Sequence, residues 1–115
     1  MKITTSTEHG VITAHIEGRL DAHTVADYID AVADKVGPHN PNVALDMAGV
    51  EFMDSSALAA LVTTLKRCLE YGGSIVLVAA APPVRIILEL TRLEEVFPQV
   101  ESASAVKTAL GLGAR

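Results

Sequence analysis

Apolar positions along the chain fall into short runs of two kinds. "VITAHIEG", residues 11–18, alternates apolar and polar positions and carries β-branched residues, the pattern of a strand with one buried face. Residues 3–6 form a weaker strand candidate, joined to it by a short turn, so the two are expected to pair antiparallel. Val25, Ile29, Val32 and Val36 then recur at helical spacing, with Asp21 placed to cap that helix and Gly37-Pro38 to stop it. "NVALDM", 42–47, reads as a short apolar strand. A helix opens at Ser55 and runs to Gly72-Gly73. "SIVLVAA", 74–80, is continuously apolar, as expected of a strand covered on both faces in the middle of a mostly parallel sheet.

Pro82-Pro83 suits a helix start, and Val84 to Leu93 continues it. "VFPQV", 96–100, is a strand that Pro98 confines to a sheet edge. Ser102 or Ser104 caps a last helix, ended by Gly111. The order is β-β-α-β-α-β-α-β-α. It predicts an α/β fold in one domain, 1–115: a mixed, mostly parallel sheet of four to five strands, right-handed crossovers and about four covering helices. The helix from Val84 is apolar on more than one side (Ile86, Ile87, Leu88, Leu90). It is either fully buried or leaves a strip for a second contact or a homodimer.

Composition narrows the function. The chain has 115 residues, half of them apolar, so it is one ordered domain. There is no Trp and only two Phe and two Tyr, too few for a platform that stacks single-stranded bases. A net charge of −5 with no Lys/Arg cluster excludes a phosphate-backbone binder, so no nucleic-acid partner is expected. The single cysteine, Cys68, forms no internal disulfide and falls on the apolar stripe of its helix, where an inert thiol is expected. No apolar signal core opens the chain, and the longest apolar run, "IVLVAAAPPV", is broken by prolines. The expectation is a soluble cytoplasmic protein with no direct membrane insertion.

Catalytic signatures are missing from the sequence. His9, His15, His23 and His39 stand at no metal-ligand spacing, and HExxH, CxxC, GxGxxG, GxxxxGKS and GxSxG are all absent. Neither an enzyme nor a cofactor or metal is indicated. Asp46 is an acid inside a strand; it either bonds the backbone of the following loop or serves a function.

One segment asks for more: "FMDSSALAALVTTL", 52–65. Asp54 as N-cap would accept from the amides of Ser56 or Ala57. Met53 and Leu58 would then form a hydrophobic staple. Capping by Asp54 frees both serines. At about 100° per residue, Leu58, Leu61, Val62, Leu65, Cys68 and Leu69 form the inward stripe. Ser55 lies on the flank, near Lys66. Ser56 falls on the opposite face, in line with Ala60, Thr63 and Arg67, a small and flat surface. The serines are either ordinary first-turn residues or a site another protein can reach. Phosphate at this helix start would meet free N–H groups and add about −1.5 to −2 charges to a contact patch.

"EGRLDAHTV", "ALDMAGVEFMDSSALAALV" and "GGSIVLVAAAPPVRIILELTRLEEVFP" together resemble the STAS domain family, which includes anti-sigma factor antagonists and the tails of sulfate transporters. The likeness covers nearly the whole chain, and the FMDSS segment is its most specific part. It implies a partner-switching protein of the antagonist branch. Such a protein binds an anti-sigma factor with serine kinase activity while unphosphorylated, and is released on phosphorylation. A metal-dependent serine phosphatase then resets it. The family serine is the second of the DSS pair and maps onto Ser56, with Ser55 as runner-up. Asp21 and Asp54 match acidic positions near it. The implied contact surface is Asp21, Asp54, Ser55, Ser56, Ala57, Ala60 and Thr63. Most members have Gly where this chain has Ala57, a change that favours helix by about 1 kcal/mol. A second branch implies an accessory subunit of a lipid-transport ABC complex, without phosphorylation.

Overall fold

A computed structural model describes residues 1–112, so the last three positions of the expected 1–115 domain lie outside the described residues. Five strands form one sheet: β1 (Lys2–Glu8), β2 (Val11–Leu20), β3 (Asn42–Met53), β4 (Ile75–Val78) and β5 (Gln99–Val100). They stand side by side in chain order. β1 pairs antiparallel with β2 through the His9-Gly10 turn, and the remaining pairs are parallel. The helices are α1 (Val25–Ala31), α2 (Ser55–Glu70), α3 (Pro82–Leu90) and the short α4 (Val106–Ala109).

Alternation along the strands separates two faces. Ile12, Ala14 and Ile16 of β2, Val43, Leu45 and Met47 of β3, and Ile75 and Leu77 of β4 face α1, α2 and α3 in one core. Tyr28 is buried there, with its hydroxyl 2.7 Å from that of Thr64, which in turn donates to the Ala60 carbonyl at 2.8 Å. The opposite face carries Val11, Thr13, His15, Ala44, Asp46 and Val78, and α4 lies beside it. β4 is buried along its whole length, as a strand covered on both faces must be.

Gly72 and Gly73 end α2 for two separate reasons. Gly72 sits at φ +79, and its amide and that of Gly73 return to the Leu69 and Cys68 carbonyls at 3.1 and 2.8 Å, a Schellman turn. A Cβ on Gly73 would run into the Pro41 carbonyl, so no side chain fits.

Several boundaries differ from the periodicity. β3 continues to Met53 rather than stopping near Met47, because its register with β2 shifts between His15 and Glu17 and between Gly18 and Arg19, which carries pairing on to Leu20↔Met53. β5 shrinks to Gln99–Val100: the Val96 and Phe97 amides bond back to the Leu93 carbonyl, which drops Phe97 into the core instead of the sheet. Pro98 does sit on the edge strand's approach, with its carbonyl accepting from Leu77 N. α1 gives way to a 3-10 turn, Ala33–Lys35, before Val36. α3 is not fully buried, since Ile86 is 55 % and Leu90 79 % exposed. Ser102 caps nothing with its side chain; its hydroxyl pairs with that of Ser104 at 2.8 Å.

Candidate functional site

The C-terminal ends of β2 and β3 open into two loops, and Asp54 holds them together. Its backbone is extended, and its Oδ1 accepts from Ser56 N at 2.9 Å and Ala57 N at 3.1 Å, the N-cap expected from the sequence. The other oxygen, Oδ2, accepts from Ala22 N at 3.1 Å in the β2–α1 loop. That bond joins residues that only the sheet brings together. Met53 and Leu58, the expected staple, are both buried in the main core.

Asp21 lies in the same cluster but does not cap α1. Its Oδ1 accepts from His23 N at 2.9 Å, an Asx turn, while its carbonyl takes Thr24 N and Val25 N at 3.1 and 2.8 Å. α1 therefore begins at Val25. The Thr24 hydroxyl is spent on the Arg19 carbonyl at 2.9 Å and also accepts from Asp21 N at 2.9 Å, so it cannot cap either. Asp21 is 8 % exposed, a fastening inside the loop more than a contact surface. Desolvation raises its carboxyl pKa, but the His23 amide, the Arg19 guanidinium and the nearby His23 outweigh it and hold the group below the usual carboxylate value of 3.8.

The helical wheel is corrected at α2. Ser55 is exposed and Ser56 half-buried. Ala57 is 0 % and Ala60 7 % exposed, so neither presents a side chain to a partner. The reason is that α2 has two covered directions. Its Leu58–Leu61–Leu65 stripe meets the sheet, while Ala60, Thr64 and Arg67 meet α1 and the turn after it: Thr64 bonds Tyr28, and Arg67 Nη1 donates to the Ala33 carbonyl at 2.7 Å. Small side chains at Ala57 and Ala60 leave room for that approach. The open face is Ser55, Ala59, Thr63 and Lys66, with Ser56 at its edge beside the β2–α1 loop. Leu69, placed inward by the wheel, is 60 % exposed. Neither serine hydroxyl has a hydrogen-bond partner among the described residues.

Arg19 and Phe52 lie beside this junction, and the sequence reading did not single them out. They are register partners on β2 and β3, and the Arg19 guanidinium lies 4.1 Å from the centroid of the half-exposed Phe52 ring. Arg19 Nε also donates to Asp21 Oδ2 at 3.3 Å. Aromatic and arginine side chains fixed in this way are typical anchors of protein contacts. The signal was an aromatic side chain directly before the capping motif, in a chain with few aromatics.

Among the described residues no histidine hydrogen-bonds either serine hydroxyl, and no group of His, Cys, Asp and Glu could hold a metal ion. Cys68 is buried, and desolvation pushes its thiol up to about 11, far from the thiolate a nucleophile needs. No helix of the described residues is long and apolar enough to cross a membrane.

Known proteins resemble this chain in sequence and, where a structure is solved, in fold. BtrV of Bordetella bronchiseptica, provisionally named an anti-sigma factor antagonist, is 26 % identical over 114 residues, covering 96 % of this chain and 98 % of that protein. The anti-sigma F factor antagonist of Paenibacillus polymyxa is 28 % identical over 102 residues, 85 % of this chain and 86 % of that one. The crystal structure of an anti-sigma factor antagonist from Mycobacterium paratuberculosis superposes with a TM-score of 0.80 at 27 % identity, covering 96 % of this chain and 95 % of that one. The STAS domain pattern matches residues 2–109, and the chain belongs to the STAS domain family.

Proposed function

We propose that this domain is an anti-sigma factor antagonist. It is a binding module that engages an anti-sigma factor with serine kinase activity and is released when that kinase phosphorylates Ser56. The relatives bearing the antagonist name support the first part, since two of them align over most of both chains. The observation that carries the switch is the Asp54 clamp. One carboxylate ties the α2 start to the β2–α1 loop, so two partner-free hydroxyls stand on a surface already held in shape.

The contact surface runs from Arg19 and Phe52 across Asp54 and Ser55 to Ser56 and Thr63. Ala57 and Ala60 shape it from beneath. A preorganised surface loses little freedom on binding. A phosphoryl group on Ser56 adds about −1.5 to −2 charges beside two carboxylates, Asp54 and Asp21. Asp54 already occupies the Ser56 and Ala57 amides, so the helix start has little left with which to neutralise that charge. The patch becomes strongly negative while the fold stays intact, because no structural bond uses the hydroxyl. Each 1.4 kcal/mol lost by the complex weakens it about tenfold. A serine phosphatase restores the neutral surface.

The test is incubation with ATP and the cognate anti-sigma factor, read by peptide mass spectrometry and complex formation. One phosphoryl group on Ser56, lost in Ser56→Ala, with Ser56→Asp weakening the complex, is the expected result. Phosphate on Ser55, or on no serine, overturns the assignment. An accessory subunit of a transport complex would instead co-purify with a membrane ATPase and function normally as Ser56→Ala.

A further inference from the structure

The two edges of the sheet differ. An edge strand carries a row of N–H and C=O groups without partners, a template on which another strand can pair. β5 is a poor template: it has two residues, Gln99 and Val100, and Pro98 stands before them. β1 lacks such stops. It is seven residues long, contains neither Pro nor Gly, and pairs with β2 from Lys2↔Glu17 to Glu8↔Val11 without a bulge. Nothing among the described residues bonds its backbone from the outer side. The core is not sealed at this edge either. Ile3 of β1, and Val25 and Ile29 of the neighbouring α1, are only half-buried against it.

Side chains alternate along β1, so Ile3, Thr5 and Thr7 share the helix-covered face and Lys2, Thr4, Ser6 and Glu8 the open one. The open row begins with a cation and ends with an anion. Neither Lys2 nor Glu8 makes an ion pair among the described residues. An antiparallel strand of the same sequence, centred on Thr5, complements this row at both ends. Lys2 stands opposite Glu8 of the second copy, and Glu8 opposite its Lys2. Thr4 meets Ser6, Ile3 meets Thr7, and Thr5 meets itself on the two-fold axis. Opposite charges directly across a strand pair attract, while like charges repel. A slip of two residues, the smallest that keeps the faces, removes both charge pairs.

We propose that two copies of this chain associate through β1, joining their five-stranded sheets antiparallel into one. The contact is isologous, so each outward backbone group of the edge finds its mate on the other copy. The axis stands perpendicular to the sheet, and the helices of both copies fall on one side of it. Thr7 of the second copy shields Ile3 at the open rim of the core. Because the paired strands run opposite ways, the two Asp54 junctions point to opposite ends of the joined sheet. Each stays open to its own partner protein, and no residue of β1 belongs to the junction. The exposed apolar strip of α3, Ile86 and Leu90, plays no part. Seven residues a side are fewer than the roughly 20–30 of a standard interface, so the association is weak and depends on concentration.

Sedimentation of the full chain over a concentration series is the first measurement, with a Kd between about 10 μM and 1 mM expected for so small a contact. Lys2→Glu alone and Glu8→Lys alone should each weaken self-association about tenfold. An equimolar mixture of the two variants should associate as well as wild type, because every charge then meets its opposite. Disulfide capture fixes the register. Thr5→Cys lies on the axis and should link to itself, and Thr4→Cys should link to Ser6→Cys in a mixture. One of those two pairs is of the closely spaced antiparallel kind. Thr7→Cys, roughly 14 Å from its own copy, should not link. Cys68 is buried and does not compete. Ser56→Asp should associate like wild type, so this proposal and the phosphorylation switch fail separately. The proposal is overturned if the chain stays monomeric at about 1 mM, or if the mixed charge variants stay apart. It is equally overturned if Thr7→Cys links as fast as Thr5→Cys, or if Leu90→Glu, and not the β1 charge changes, dissolves the dimer.

Discussion

On one side of the sheet, Ile12, Ile16, Leu45, Met47, Ile75 and Leu77 are closed over by three helices and buried almost completely. On the other side the cover is α4 and the turn before it, neither of which contributes a fully buried side chain. The two faces share the same strands, yet one is a close-packed core and the other a recess. The packed face anchors the start of α2, so the Asp54 junction inherits its rigidity. The thinly covered face leaves space, and a polar pair in it, His15 and Asp46, has no packing duty. Stability is concentrated where the switch surface is mounted, and adaptability where the recess lies.

Breaking that comparison begins with the largest effect. Leu61→Ala removes a side chain that is 0 % exposed between α2 and the sheet, and should cost about 2–5 kcal/mol in urea unfolding. A much smaller loss would mean that the helix face is as loosely packed as the other. Next is Asp54→Ala, which removes the cap and the Ala22 tether together, with an expected loss of about 1–2 kcal/mol. Asp54→Ser sharpens the point: it can still cap α2 but cannot span both loops, so it should recover stability without recovering partner binding. If it recovers both, the tether has no role in the surface.

Val106→Ala trims the thin cover and should change stability by about 0.5 kcal/mol. A loss like that of Leu61→Ala would show that α4 is part of the cooperative core. The smallest effect is a slope. Asp21 has a lowered folded pKa, so its stabilisation is complete above the unfolded-chain value of 3.8 and disappears as the pH falls through the lower folded value. Asp21→Asn should therefore flatten the acid limb of the stability curve and leave its neutral part parallel to wild type. An unchanged acid limb would mean that the Arg19 and His23 contacts do not persist in solution.

Much of this was legible in the residues. Asp54 could be assigned as a cap because a short carboxylate before a helical stripe satisfies specific amides within three residues. The β4 segment could be placed inside the sheet because nothing polar interrupts it. Asp46 could be suspected of bonding the next loop, and it does bond Ala48, but its second partner, His15, is 31 residues away and only strand register supplies it. The wheel failed at Ala60 because periodicity encodes one apolar direction, whereas α2 is covered by the sheet and by α1; Ala57, carried into the contact surface by the family resemblance, is buried as well. Alanines fit either an exposed face or a close helix–helix contact, so their type does not say which.

By itself, the sequence determined the order of strands and helices, the Asp54 cap, the Gly72-Gly73 stop and the likeness to the STAS family. Each rests on chemistry within a few residues or on a pattern carried along the whole chain. Tertiary structure alone decided which α2 residues reach the surface, that Asp54 also grips Ala22, that Arg19 lies on Phe52, and that His15 meets Asp46. Those contacts join distant segments, and they depend on where β2 shifts register against β3, a displacement that no local propensity specifies.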